Sequence, residues 1–164
     1  MDDANAVPEF TISQPRVSTM ACFRHFSVHG RASMQTIAQM AMALIDQVCS
    51  EYRGAHSVTV DQPSVILSYG MPEATGEFDM WAGLKVRPDL PAAGKAAIED
   101  VPSQRCASVV LCGSLKHLGE AHQQLMQYVE AQGLRYGLTF REWYLYWEGE
   151  DTPNNVTMVT YDII

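Results

Sequence analysis

Apolar and polar positions alternate most regularly between Phe78 and Val86. There Phe78, Met80, Ala82, Leu84 and Val86 interleave with Asp79, Trp81, Gly83 and Lys85. A period of two predicts a half-buried strand. Val65–Tyr69, just before it, reads as a second strand, and Arg16 to Val28 as one continuous strand that Gly30 breaks. Between these the period changes. Ile37, Met40, Ala41, Leu44, Ile45 and Val48 fall on one helical face, with Ser33 a suitable N-cap and Gly54 a suitable left-handed terminator. Residues 87–104 contain Pro88, Pro91, Gly94 and Pro102 and read as a linker. The order then recurs. Arg105–Gly113 is an apolar strand, and Leu118, His122, Leu125, Met126 and Val129 mark an amphipathic helix that stops at Gly133. Glu142–Trp147 and Val156–Ile163 are the closing strands, separated by a polar loop with Gly149 and Pro153.

The pattern is strand–helix–strand–strand, twice, over pseudo-repeats 14–90 and 101–164. The halves share almost no residues, so the repeat rests on element order alone. Two such units predict an α+β fold over residues 14–164: one antiparallel sheet with both helices on one face and a ligand groove between the halves. Residues 1–13 are polar and read as a loose tail or an early edge segment.

Composition narrows the function classes. The chain has 164 residues, 47% of them hydrophobic and 18% charged, which is globular. Its net charge is −8 from 19 acidic and 11 basic residues, and Lys and Arg form no cluster. Direct nucleic-acid binding through a basic face is therefore not expected. No apolar run reaches membrane-spanning length, and Met1–Asn5 lacks the basic and apolar regions of a signal peptide, so the expected location is cytoplasmic. Cys22, Cys49, Cys106 and Cys112 show no CxxC spacing and are expected to be buried free thiols. No metal or cofactor motif is present. His25 and His29 are too far apart along a strand to share an ion, and His117 and His122 point in different directions. Asp46, His56 and Ser57 or Ser114 form a triad on paper only, without a nucleophile elbow.

Candidate chemistry concentrates in Arg141-Glu142-Trp143-Tyr144-Leu145-Tyr146-Trp147. On a strand Glu142, Tyr144 and Tyr146 share one face; Trp143, Leu145 and Trp147 share the other. Both faces are largely apolar, which predicts a central strand with a partly desolvated Glu142. Arg141 points away and is a poor partner for it. Such a carboxylate must take up a proton or find a cation, and among aromatic rings it suits a flat or lipophilic cation. The plainer alternative is a half-exposed strand-edge Glu paired with a surface Arg. Nine methionines suit an adaptable pocket, although Met34, Met40, Met42 and Met126 read as helix core. Alternation puts Trp81 either in the groove or on the solvent side.

The closing run Arg141–Tyr146, the Thr152-Pro153 loop and the strand Val156–Ile163 resemble the end of GyrI-like small-molecule-binding domains. These are the effector-binding domains of AraC-type and multidrug-sensing MerR-type regulators. Val101–Ala107 and Cys112–Leu118 are similar to that family's proline-led strand and the entry to its second helix. The resemblance covers residues 14–164 by element order and the last third by motif. It implies the duplicated fold and a groove in which Glu142 meets cationic aromatic ligands, with Tyr144 beside it. Tyr69, Tyr146 and Trp81 follow as lining residues by strand order. The regulators carry a separate DNA-binding domain that this chain does not show, so a stand-alone form is expected. A homodimer is compatible with it. The resemblance also implies two other roles. One is a hydrolase that opens strained cyclopropane rings of DNA-alkylating natural products, with Glu142 positioning or deprotonating water and Tyr144 or Tyr146 orienting substrate or stabilising developing negative charge. The other is modulation of DNA gyrase.

Overall fold

The computed structural model describes residues 8–55, 64–90 and 96–164. Nine strands form one antiparallel sheet: β1 (Thr11–Ile12), β2 (Arg16–Met20), β3 (Phe23–Ala32), β4 (Val65–Gly70), β5 (Phe78–Val86), β6 (Ala97–Val101), β7 (Gln104–Cys112), β8 (Tyr136–Tyr146) and β9 (Val156–Ile163). The helices are α1 (Ile37–Ala55) and α2 (Leu118–Ala131), the latter led in by a short 3-10 turn at Leu115–His117. This is the α+β arrangement that the two periods predict.

Strand order is β1-β7-β9-β8-β4-β5-β3-β6, with β2 also on β7. The two units therefore mirror each other: β3-β5-β4 on one side, β7-β9-β8 on the other, joined where β4 pairs with β8. Helix α1 packs on β3 and β5, and α2 on β7 and β9. Leu44 and Val48 of α1 are buried against Phe26, Met80 and Leu84; Ala121, Leu125 and Val129 of α2 are buried against Val109, Leu111 and Val159. The seam strands β4 and β8 lie between the two helices.

The sheet also curls. Only Ala21 and Cys22 separate β2, at the β7 end, from β3 at the other end, and only Pro102 and Ser103 separate β6 from β7. Two residues span at most about 11 Å between flanking Cα atoms, so the two ends of the sheet approach each other. Met20 and Val101 accordingly pack against Phe23, Ile66 and Trp143 on the face that carries no helix.

Several expectations are corrected. The strand from Arg16 is two strands, because the chain must cross from one end of the sheet to the other at Ala21–Cys22. Gly30 does not break β3. It lies within it, where a Cβ would come 2.9 Å from Met40 Sδ and 3.2 Å from Leu44, so its lack of a side chain lets α1 approach. The expected linker contains β6, paired with β3. Gly54 falls inside α1, whereas Gly133 ends α2 with φ of 64°. Of the two N-terminal readings, the edge segment replaces the loose tail from Glu9: Lys116 pairs with Glu9, Phe10 stacks on His117 at 3.7 Å, and β1 pairs with β7. Residues 1–7 lie outside the described part, as do His56 and Ser57 of the paper triad. All four cysteines are free, but Cys22 and Cys112 are exposed. Met34, Met42 and Met126 are exposed rather than core. No described helix is long and apolar enough to cross a membrane.

Candidate functional site

Strand β8 is the middle of the seam. Glu142 sits opposite Leu67 of β4 on one side and Val159 of β9 on the other. It is 5% exposed, so the desolvation expected from its apolar neighbours is real. The helix-bearing face here carries Phe140, Glu142 and Tyr144 from β8, Leu67 and Tyr69 from β4, and Val159 and Tyr161 from β9. Tyr69 stacks on Phe140 at 4.7 Å, and Phe140 meets Tyr161 edge-on at 5.6 Å.

Each carboxylate oxygen is addressed separately. The Tyr144 hydroxyl donates to Oε2 at 3.0 Å. His122 of α2 brings Nε2 to 3.6 Å from Oε1, and its Nδ1 lies 2.7 Å from the Tyr161 hydroxyl. Among the described residues no Lys or Arg lies within ion-pair distance of Glu142. Burial, reinforced by the Glu142 charge, holds the phenols of Tyr69 and Tyr144 well above the ordinary tyrosine range, so both stay protonated. Tyr161 is raised too, first by burial. The result is one buried carboxylate walled by π-faces and phenol donors. That combination can stabilise a lipophilic cation through charge and quadrupole together.

The structure separates the sequence-predicted residues into two groups. Glu142, Tyr144 and Tyr69 come together. Tyr146 does not join them: the β8–β9 register slips between Tyr144 and Tyr146, and the Tyr146 side chain, 52% exposed, bonds Glu148 at 2.5 Å. Trp81 sits on the other face of the sheet, opposite His29 and Ser68 in register and 5.2 Å from the His29 ring. His122 and Tyr161 were not read from the sequence. The available signal was a histidine in the core stripe of the second helix, where a polar ring needs a partner.

The helix-free face carries a buried polar set. Arg141 donates to Asp162 at 2.8 Å, and Trp143 Nε1 donates to Thr160 at 3.0 Å. His25 and Ser68 are buried with Nε2 and Oγ unpaired. Burial, with the Arg141 charge adding to it, lowers the His25 imidazole from 6.5 to about 4. The unfolded chain therefore binds this proton below pH 6.5 while the folded one does not until pH 4. Stability is full above pH 6.5 and declines by up to about 3 kcal/mol as the pH falls to 4. Urea midpoints across that range should show this decline in the wild type and lose it in His25→Gln; parallel curves would contradict it.

No profile of a known protein family matches the sequence, nor does any curated protein sequence. Solved structures do match. The EcmrR C-terminal domain superposes with a TM-score of 0.71 at 17% identity, covering 92% of this chain and 97% of that one. SAV2435, solved bound to tetraphenylphosphonium, gives 0.69 at 12% identity, with 93% and 94% covered. A hydrolase from Listeria innocua encoded by lin2189 gives 0.56 at 11% identity, with 92% of each chain covered. The chain has the α+β fold of these structures. At these identities the likeness establishes the fold alone, and the resemblance read from the last two strands holds at that level.

Proposed function

We propose that the protein binds amphiphilic, cationic aromatic small molecules at the β4–β8 seam, with Glu142 as counter-charge and Tyr144 and Tyr69 as walls. The observation that carries this reading is a carboxylate buried among aromatic rings with no Lys or Arg within reach among the described residues. A buried charge without a full partner is costly, and a lipophilic cation supplies both the charge and the apolar surface. The binding of tetraphenylphosphonium by SAV2435, of like fold, supports this ligand class. Breadth toward several drugs and a cytoplasmic location are expectations that accompany this reading, while a homodimer and a gyrase-modulating role rest on the sequence resemblance alone.

Calorimetric titration with tetraphenylphosphonium and a neutral triaryl compound of similar size tests the charge. Glu142→Gln is expected to weaken the cation about tenfold or more, or about 1.4 kcal/mol, and the neutral compound by much less. Equal losses would remove Glu142 as a charge determinant.

Hydrolysis is the second reading, favoured by the Glu142–His122 pair and by a like fold in a Listeria innocua hydrolase. Here Glu142 would activate water and Tyr144 orient the substrate. Turnover of a cyclopropane-bearing alkylator no faster than by Glu142→Ala would exclude it.

A further inference from the structure

The seam contains its own candidate cation. His122 is mostly buried on the sheet-facing side of α2, with its side chain 19% exposed, and its Nε2 faces the one Glu142 oxygen that Tyr144 does not occupy. On its other side Nδ1 meets the Tyr161 hydroxyl at 2.7 Å. A tyrosine hydroxyl both donates and accepts. With a neutral imidazole, Tyr161 donates to Nδ1, which leaves the ring proton on Nε2, toward Glu142. With an imidazolium, Nδ1 donates to the Tyr161 oxygen and Nε2 still carries a proton toward Glu142. Both charge states therefore fit the same packing, with only the hydroxyl proton turned.

The surroundings leave little else to set the charge at this point. From β8 the titratable groups are Glu142, Tyr144 and the more distant Tyr136, which lies 5.8 Å from the Tyr161 ring. From β9 there is Tyr161, and from β4 there is Tyr69. Strand β7 presents Ala107, Val109 and Leu111 to α2, none of which titrates. On α2 itself Glu120 is engaged by His117 at 2.9 Å. Burial holds the phenols of Tyr69, Tyr144 and Tyr161 in their neutral form, so among the described residues Glu142 and His122 are the two groups left to carry charge in the seam.

Resting on the reading of Glu142 as counter-charge, we propose that His122 is the specificity-determining residue of the seam: its positive charge and the ligand's compete for the same carboxylate. A protonated His122 cancels the charge that a cation would meet, and a bound cation disfavours the proton on His122. The protein is thus selective for cations when His122 is neutral and indifferent to charge when it is protonated. Cation binding at mildly acid pH is then coupled to release of a proton. Histidine is the side chain whose charge ordinarily changes between about pH 5 and 8, so the test brackets that range. Neutral ligands of the same shape feel no such competition.

The test is calorimetric titration with tetraphenylphosphonium at pH 8 and pH 5.5, in buffers of different ionisation enthalpy, on the wild type, His122→Gln and His122→Leu. Circular dichroism selects the variants that fold. The wild type is expected to bind the phosphonium about tenfold or more weakly at pH 5.5 than at pH 8, and to release a proton on binding at the lower pH. In a folded His122 variant that ratio should collapse to within about threefold and the proton release should vanish. A neutral triaryl compound should show no pH dependence in any of them. If wild type and variants lose affinity in parallel, the controlling proton is elsewhere and His122 has no such role. If the wild type fails to bind the phosphonium even at pH 8, the counter-charge reading of Glu142 fails, and the competition falls with it.

Discussion

Replacing Arg141 with Met is expected to cost about 3–5 kcal/mol of folding stability at neutral pH, read as a shift in the urea midpoint. Arg141 is 8% exposed and Asp162 is 9% exposed, and their 2.8 Å bond lies on the curled, helix-free face of the sheet. Burial raises the Asp162 carboxyl above its ordinary value, and this outweighs the opposing pull of Arg141. The pair is therefore tolerated rather than strongly favourable. Without Arg141 the carboxylate is left buried and uncompensated, which is the costly case. The deficit should narrow as the pH is lowered into the carboxylate range, because a group raised in the fold adds stability once it is protonated. Removing both charges is a different matter. Arg141→Met with Asp162→Leu should recover most of the loss, since well-packed apolar side chains of similar size often match or exceed a buried ion pair. If the double variant is as unstable as the single one, the cost lies in packing around Arg141 rather than in the stranded charge.

This pair also shows why the two sides of β8 differed in legibility. Alternation alone put Glu142 and Tyr144 on one face and Arg141 on the other; it left Glu142 between a desolvated central position and a half-exposed edge, and the structure buries it. Bounds drawn for Phe78–Val86 coincide with β5 because that run alternates regularly, and those for Val156–Ile163 coincide with β9 although its alternation breaks at Met158–Val159. Asp162, by contrast, lies 21 residues from Arg141 and meets it only through strand pairing and curl, which no local period encodes. The same holds for His122 of α2, whose partners Glu142 and Tyr161 come from two strands. Tyr146 was lost to a register slip, which a strict period of two cannot anticipate. The short β6 was read as linker because Ala97-Ile98-Glu99-Asp100-Val101 has no alternation strong enough to stand against the flanking prolines. Sheet curvature was likewise hidden. It follows from two-residue connections at Ala21–Cys22 and Pro102–Ser103, which matter only once strand order is known.

The second large effect is expected at Gly83. A Cβ there would fall 1.8 Å from His25 Nε2 and 2.5 Å from its Cδ2, so the imidazole occupies the space that any side chain at position 83 would need. His25 cannot easily give way: it is 6% exposed and meets Phe23 edge-on at 5.6 Å, and Phe23 in turn packs on Trp143. Gly83→Ala is therefore expected to cost about 3 kcal/mol or more, the upper end for overpacking a core. His25→Ala alone creates a cavity and is destabilising in its own right. Combined, the two should interact, with Gly83→Ala adding less than about 1 kcal/mol once the ring is gone. A penalty of the same size in both backgrounds would place the strain in the β5 backbone instead. Gly83 and His25 face away from Glu142 across the sheet. Whatever fraction of either variant remains folded should therefore bind tetraphenylphosphonium with wild-type affinity if the seam is the binding site. Weakened binding by the folded fraction would instead implicate the polar interior of the curl, and would move the ligand to the side of the sheet that holds Trp81.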